Sequence, residues 1–257
     1  MRVTFQGPDT EAQIDTQIDM FATALANKPD AMGFAALDSQ AASPVLHLAD
    51  QAGIPIIAFD SGVDGDIPIA TATTDNIAAS SLAADKMAAL IGEQGEVAVV
   101  SHSQTSSTGM DRRDGFVNRI KKAYPNIKIV TIQYGEGDHL KSTEVTRAIL
   151  TSHPHLAGIF GTNEGAAAGV VNAVREAKAN GIVIIGFDSG KAQQDAIRSG
   201  LEAGAITQNP IGIGYKTVQA AVDAIHGKKL PKVIDTGFYY YNIENIDDPK
   251  IAAVLYN

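Results

Sequence analysis

Residues 54–62 read Ile-Pro-Ile-Ile-Ala-Phe-Asp-Ser-Gly, and residues 182–190 read Ile-Val-Ile-Ile-Gly-Phe-Asp-Ser-Gly. Each stretch is a short apolar run, typical of a buried parallel strand, that ends in Phe-Asp-Ser-Gly. Ligands of open α/β sheets bind outside the carboxyl ends of the strands. The repeat therefore predicts two similar lobes, with Asp60 and Asp188 facing a shared cleft. The alternative is that Asp-Ser-Gly is only turn chemistry after each strand.

Helical and strand-like patterns alternate along the whole chain. Ile14, Ile18 and Leu25 share one helix face, whereas 97–100 and 156–160 are short apolar runs. Strands separated by helices indicate βαβ units and parallel sheets. The sequence thus predicts an α/β protein with two doubly wound parallel-sheet lobes. We also expect a strand at Arg2–Gln6, where the chain enters an apolar run at once.

Composition excludes several classes of function. The 257 residues are 45% hydrophobic and carry a net charge of −9, with no Lys/Arg-rich run, which argues against a nucleic-acid partner. The sequence has no long apolar stretch of the kind that spans a membrane. The absence of Cys excludes disulfides, thiol nucleophiles and Cys-based zinc sites.

The residue spacings in this chain do not match known cofactor-binding or catalytic motifs. Gly186–Lys191 resembles a phosphate-binding loop but is one residue too short, and Gly161, Gly165 and Gly169 do not have the dinucleotide-binding spacing. There is no G-x-S-x-G motif, and the six His show no metal-ligand spacing. We therefore expect no enzyme, no cofactor and no metal. An acid/base pair formed by Asp60 and Asp188 is the enzymatic alternative.

Three further polar segments follow strands or open helices, at 111–116, 161–164 and 207–210. Each alone is more typical of turns and helix caps than of a ligand site. Together they place Arg, Asn and Gln at the same kind of sheet edge as the two Asp residues. Such planar polar groups suit bidentate contacts to vicinal hydroxyls.

In this ordered set of motifs the chain resembles the periplasmic sugar-binding proteins of ABC transporters, ribose-binding type, which are related to the effector domains of lactose-repressor-type regulators. The matching segments are Ile54-Pro55 with Phe59-Asp60, Thr74-Asp75-Asn76, Asp111-Arg112 with Gly115-Phe116, Phe160 with Asn163-Glu164, Gly186-Phe187-Asp188, and Gln208-Asn209-Pro210. The resemblance covers essentially the whole chain.

The resemblance implies a type I periplasmic binding fold that closes by a three-segment hinge on a monosaccharide and then meets an ABC permease. Residues 1–74 and 209–235 would form the first lobe, and residues 75–208 and 236–257 the second. The implied sugar ligands are Asp60, Arg112, Asn163, Asp188 and Gln208, and further possible ligands are Ser61, Tyr134, Gly137 and His139. Tyr134, Gly137 and His139 lie near the loop where the family places an aromatic residue that stacks on the sugar.

The resemblance also implies a periplasmic location, although no signal peptide opens this sequence. Family members begin with a strand and helix that are missing here, so we expect the first lobe to lack them and the chain to be N-terminally truncated, unless another chain supplies the strand. The alternative function is a sugar-sensing effector domain of a regulator or receptor. The sequence does not name the sugar.

Overall fold

The chain divides into two compact units in the computed structural model, which describes residues 2–256. The first unit comprises the chain up to Thr74 together with Thr105–Thr108 and Pro210–Thr236, and the remainder forms the second. Residues 105–108 were expected in the second lobe. They group with the first unit, where Ser39 N–H donates to the Thr105 carbonyl at 3.0 Å and Gly62 N–H donates to Ser107 Oγ at 2.7 Å.

The first unit is built on a four-stranded parallel sheet, in the order β1-β2-β3-β9. Its strands are β1 (Met32–Phe34), β2 (Ile56–Phe59), β3 (Ala70–Thr73) and β9 (Val233–Asp235), and its helices are α1 (Ile14–Ala26), α2 (Ser43–Gln51) and α8 (Pro210–Ile225). Phe21 of α1 packs edge-on against Phe34 of β1, with ring centres 5.0 Å apart. This contact fastens α1 to the sheet.

The predicted strand at Arg2–Gln6 is wrong. Residues 2–7 have no regular structure, and Val3 and Phe5 are 60% and 87% exposed. A strand is stabilised by ladder hydrogen bonds to a neighbour, and this segment is paired with none of the strands in the described part of the chain. The β propensity of residues 2–6 is therefore not enough to form a strand without a neighbouring strand to pair with.

The second unit is built on a six-stranded sheet in the order β10-β8-β7-β6-β4-β5, in which only β10 runs antiparallel. Its strands are β4 (Gly95–Ser101), β5 (Ile127–Tyr134), β6 (Leu156–Gly161), β7 (Val183–Phe187), β8 (Gly204–Gln208) and β10 (Phe238–Tyr241). Its helices are α3 (Asn76–Leu90), α4 (Ser107–Ala123, whose first two residues group with the first unit), α5 (His139–Ser152), α6 (Glu164–Ala177), α7 (Lys191–Arg198) and α9 (Pro249–Ala252). Phe116 and Phe160 stack in the core with ring centres 4.5 Å apart.

The glycines that lack dinucleotide-binding spacing serve helix packing. A Cβ at Gly165 would lie 1.9 Å from the Gly137 carbonyl oxygen, and one at Gly169 would lie 2.4 Å from the Ser142 Cβ. Residues four apart share a helix face. The two glycines therefore form a small-residue face on which α6 lies directly against α5 and the loop before it.

None of the helices in residues 2–256 combines the length and apolar character that crossing a membrane requires.

Candidate functional site

The repeated Phe-Asp-Ser-Gly segments share a backbone conformation in the two units, with the Asp in the left-handed region in each. Asp60 and Asp188 follow β2 and β7 with φ of 54° and 76°, and their N–H groups donate to Ala72 and Ile206 at 2.9 and 2.7 Å. The left-handed region costs a residue with a Cβ roughly 1 kcal/mol, and such residues cluster at functional sites. Each unit thus ends its central strand in a carboxylate held on a strained backbone.

Arg112 is the centre of the site in the second unit. Its side chain is 3% exposed, and its Nε–H donates to Asn76 Oδ1 at 2.8 Å. Nη1 donates to the Thr162 carbonyl at 3.0 Å, and the guanidinium lies 3.8 Å above the centre of the Phe187 ring. Nη1 also lies 3.6 Å from Asp188 Oδ2. These contacts come from three different segments, at Asn76, Thr162 and Phe187-Asp188, and fix the guanidinium in one orientation.

Arg112 lies inside a helix rather than at its opening. The segment 111–116 was expected to open a helix, but α4 already begins at Ser107. α3 and α4 approach closely at Gly115, where a Cβ would lie 2.7 Å from the Ile77 carbonyl oxygen. This close approach brings Asn76, the first residue of α3, within reach of the Arg112 guanidinium.

The Asp188 carboxylate is oriented by two donors. Gln208 Nε2 donates to Oδ1 at 2.8 Å, and the Glu164 N–H donates to Oδ2 at 3.2 Å. The Tyr241 hydroxyl donates to the Asp188 carbonyl at 2.9 Å, which supports the strained backbone. Arg112, Asp188 and Gln208, expected together from sequence, are therefore joined in one polar cluster.

Asn163 caps the helix beside this cluster. Its Oδ1 accepts from the Ala166 N–H at 2.8 Å at the start of α6. The helix-cap role that the sequence left open is thus correct for the oxygen of Asn163. Burial raises the pKa of the neighbouring Glu164, although the Tyr256 hydroxyl donates to its carboxylate at 3.1 Å.

His102 and Thr162 belong to the same neighbourhood; Thr162 lay within the polar segment 161–164, whereas His102 was not identified from sequence. His102 is 5% exposed, and its backbone N–H and ring Nδ1 lie 2.9 and 2.8 Å from Thr162 Oγ1. Burial and, secondarily, the charge of Arg112 hold the pKa of His102 well below its usual value, so the ring is neutral. A lone His after a strand does not by itself indicate a ligand site. Asn76, by contrast, lay within the segment Thr74-Asp75-Asn76 on which the resemblance rests.

In the first unit, Asp60 and Ser61 follow β2. Thr73 Oγ1 donates to the Asp60 carbonyl at 2.6 Å, which supports the left-handed backbone from the neighbouring strand. The Ser61 hydroxyl is buried and lies 3.2 Å from Ser107 Oγ. The serine is thus held by Ser107, a residue of 105–108.

The loop expected to carry a stacking aromatic has other contacts. The Tyr134 hydroxyl accepts from Arg113 Nη1 at 3.0 Å, and Gly137 packs against Gly165 of α6. His139 is exposed as the first residue of α5. Their roles as possible ligands stay predictions.

Within residues 2–256 there is no group of three or more His, Cys, Asp or Glu side chains that could hold a metal ion.

Comparison with known proteins decides the family. Residues 1–229 match the model of the periplasmic binding protein domain family. The chain belongs to this family. It is similar to an ABC transporter solute binding protein from Agrobacterium vitis with bound D-fucose, with a TM-score of 0.95 and 33% identity over 99% of this chain and 89% of that one.

Two further relatives represent its sequence and structural neighbours. The ribose import binding protein of Escherichia coli is 28% identical over 75% of this chain and 64% of its own length. A protein from Brachyspira murdochii described as an ABC transporter, LacI family transcriptional regulator has a TM-score of 0.86 and 30% identity, over 100% of this chain and 89% of that one. The chain thus spans less than two thirds of the Escherichia coli relative. Its fold is the α/β fold of this family, as the resemblance predicted.

Proposed function

We propose that this chain is the solute-binding component of an ABC importer and that it binds a neutral monosaccharide. The observation that carries the proposal is the cluster of Arg112, Asp188 and Gln208 at the carboxyl ends of β7 and β8. Fixed guanidinium, carboxylate and amide groups supply the planar donors and acceptors that vicinal hydroxyls require. The names of the relatives, which bind D-fucose and import ribose, support the same class of ligand.

The charges of the cluster favour a neutral ligand. Arg112 and Asp188 compensate each other at 3.6 Å, and both are largely buried. Burying an additional ion beside such a pair would leave a charge without compensation, which is costly. A sugar hydroxyl instead donates to one carboxylate oxygen and accepts from the guanidinium without changing the net charge.

Each predicted ligand residue has a distinct role in this proposal. Asp188 accepts from sugar hydroxyls, Arg112 donates to them, and Gln208 accepts through its amide oxygen. Asn163 donates through its amide nitrogen, since its oxygen caps α6. Asp60 is proposed as an additional acceptor, supplied by the first unit on the matching strand end.

The mechanism is binding without bond-making. The sugar-loaded chain would be recognised by an ABC permease in the periplasm, and the hinge closure of the two lobes stays a prediction. The second candidate, a sugar-sensing role, is favoured by the description of the Brachyspira murdochii neighbour. Stimulation of a cognate permease ATPase by the sugar-loaded chain in proteoliposomes supports the importer. Sugar binding without any stimulation favours the sensor.

A thermal-shift panel tests the ligand class. We expect at least one of D-fucose, D-ribose, D-allose and D-arabinose to raise the unfolding temperature, since a ligand at a hundredfold excess over its dissociation constant adds about 2.7 kcal/mol of stability. Amino acids and nucleosides are the controls. A response only to those controls would refute the proposal.

A further inference from the structure

The Thr162 hydroxyl connects His102 to the Arg112 cluster. Thr162 follows β6 and is fully buried. Its hydroxyl lies between the backbone N–H and the ring Nδ1 of His102, at 2.9 and 2.8 Å. Its carbonyl accepts from Arg112 Nη1 at 3.0 Å. One residue thus contacts the histidine with its side chain and the arginine with its backbone.

The hydrogen bonds of the Thr162 hydroxyl determine which ring nitrogen of His102 carries a hydrogen. The His102 backbone N–H donates to Thr162 Oγ1, so the hydroxyl hydrogen needs an acceptor elsewhere. Within the described residues, the acceptor that lies in range is His102 Nδ1. Leaving a buried hydroxyl hydrogen without an acceptor is unfavourable. Nδ1 therefore accepts, and the neutral ring carries its hydrogen on Nε2.

Protonation would reverse this arrangement. A charged imidazolium donates from both nitrogens, so Nδ1 could no longer accept from Thr162. The charged ring would also place a second positive charge near the Arg112 guanidinium, and burial together with the charge of that guanidinium already lowers the pKa of His102. The other ionisable groups around Arg112 are Asp188, which pairs with it, and Asp111 on α4, whose pKa is raised mainly by burial. Glu164, beside Asp188 on α6, also has a raised pKa.

We propose that neutral His102 is a positioning residue for the ligand site: its Nδ1 holds Thr162, Thr162 holds Arg112, and protonation of His102 in acid releases the ligand. The inference rests on the proposed function, because it concerns how that site keeps its donor in place. It adds a proton-dependent step to a cluster, Arg112, Asp188 and Gln208, that contains no histidine.

Nuclear magnetic resonance of the ligand-free chain tests the hydrogen-bond arrangement without any sugar. We expect long-range imidazole nitrogen–proton spectra to show the Nε2–H form of His102 at pH 7.5, with titration well below pH 6.5. We also expect a protected Arg112 Nε–H signal, because this group donates to Asn76. The Nδ1–H form of His102, or titration at 6.5 or above, would overturn the proposal.

Variants of His102 and Thr162 distinguish a role in positioning Arg112 from a general effect on folding. His102→Asn keeps an acceptor where Nδ1 stood but cannot be protonated, so it should retain the Arg112 Nε–H signal, whereas His102→Leu should lose it. With D-fucose, D-ribose, D-allose or D-arabinose as probe, whichever binds, we expect His102→Leu to weaken binding about tenfold at pH 7.5. His102→Asn should bind as wild type there and lose the decline in affinity at acid pH. Thr162→Val should reproduce His102→Leu.

His153→Asn is the matched control, since His153 ends α5 away from these contacts. It should leave both the arginine signal and the acid decline unchanged. An acid decline that persists in His102→Asn, or an Arg112 signal that survives in His102→Leu, would contradict the proposal. If no sugar binds, the proposed function fails, while the imidazole and arginine signals still decide the role of His102.

Discussion

At the scale of residues, Arg112 and Arg113 are adjacent in sequence but differ in their environment. Arg112 is buried and held by Asn76 and Thr162. Arg113 pairs with the neighbouring Asp114, with 2.6 Å between Nε and Oδ1. The side chains leave α4 in different directions, so only one can join the polar cluster. The resemblance selected Arg112 as a ligand, and this role stays a prediction.

The substitution Arg112→Ala should weaken sugar binding roughly tenfold to a hundredfold, because each hydrogen bond to a charged group contributes about 1.5–3 kcal/mol. Arg113→Ala is the matched control and should change the affinity less than threefold. Calorimetric titration of both variants with the same sugar measures the difference. A larger loss in Arg113→Ala would reverse the assignment.

The left-handed backbone at Asp60 allows strain and function to be separated. Asp60→Gly and Asp60→Ala both remove the carboxylate, but only Gly adopts a φ of 54° without strain. We expect Asp60→Gly to be more stable than Asp60→Ala by about 1 kcal/mol, with sugar binding strongly reduced in both. Urea unfolding gives the stabilities. Equal stability of the two variants would show that the backbone is not strained.

At the scale of elements, a buried carboxyl group packs directly against strand β7. Glu202 is 1% exposed, and its Oε1 accepts from Gln193 Nε2 at 3.2 Å. A Cβ at Gly186 of β7 would lie 2.1 Å from that oxygen. Burial raises the pKa of Glu202 to about 8, so the folded chain holds it neutral at pH 7.

This carboxyl group predicts a pH dependence of stability. Between its usual pKa of 4.5 and about 8, the folded chain holds a proton on Glu202 that the unfolded chain has lost. The free energy of unfolding should therefore fall as pH rises through this window, by up to about 1.4 kcal/mol per pH unit, and this contribution should level off above pH 8. Glu202→Gln should remove this fall. Urea unfolding from pH 5 to 9 measures it, and parallel curves for wild type and variant would contradict the prediction.

The close packing of α6 on α5 gives a second test at this scale. Gly165→Ala should destabilise the chain by about 1–3 kcal/mol, because the new methyl group meets the Gly137 backbone. Gly214→Ala is the matched control within α8, where a Cβ meets nothing within 4 Å, and should stabilise by up to about 1 kcal/mol. Melting temperatures that move in the same direction would contradict this explanation.

Sequence patterns predicted strands with continuous apolar runs and missed a strand that lacks one. β2 and β7 were predictable because their apolar runs are continuous. β3 was not, since Ala70–Thr73 alternates small residues and is defined by pairing with β2 and β9. The start of α4 was missed because Ser-Thr-Gly has low helix propensity, which the surrounding fold overrides.

At the scale of the whole molecule, the internal repeat was the most informative signal. It predicted two sheet-based units, and the family match with an α/β fold confirms that class. The cluster of Arg112, Asp188 and Gln208 was predictable because Asp188 follows β7, Gln208 ends β8, and Arg112 lies in a polar segment that the resemblance matched. The pairing of Thr162 with His102 was not, since it depends on hydrogen bonds between segments 60 positions apart.

Calorimetric titration of the chain with D-fucose, D-ribose, D-allose and D-arabinose tests the central claim most directly. We expect one or more of these neutral sugars to bind with a stoichiometry of about one per chain, and that binding to be lost or strongly weakened in Arg112→Ala but not in Arg113→Ala. Failure of the folded chain to bind any monosaccharide, or sugar binding that is indifferent to Arg112, would contradict the assignment of this cluster as a sugar site.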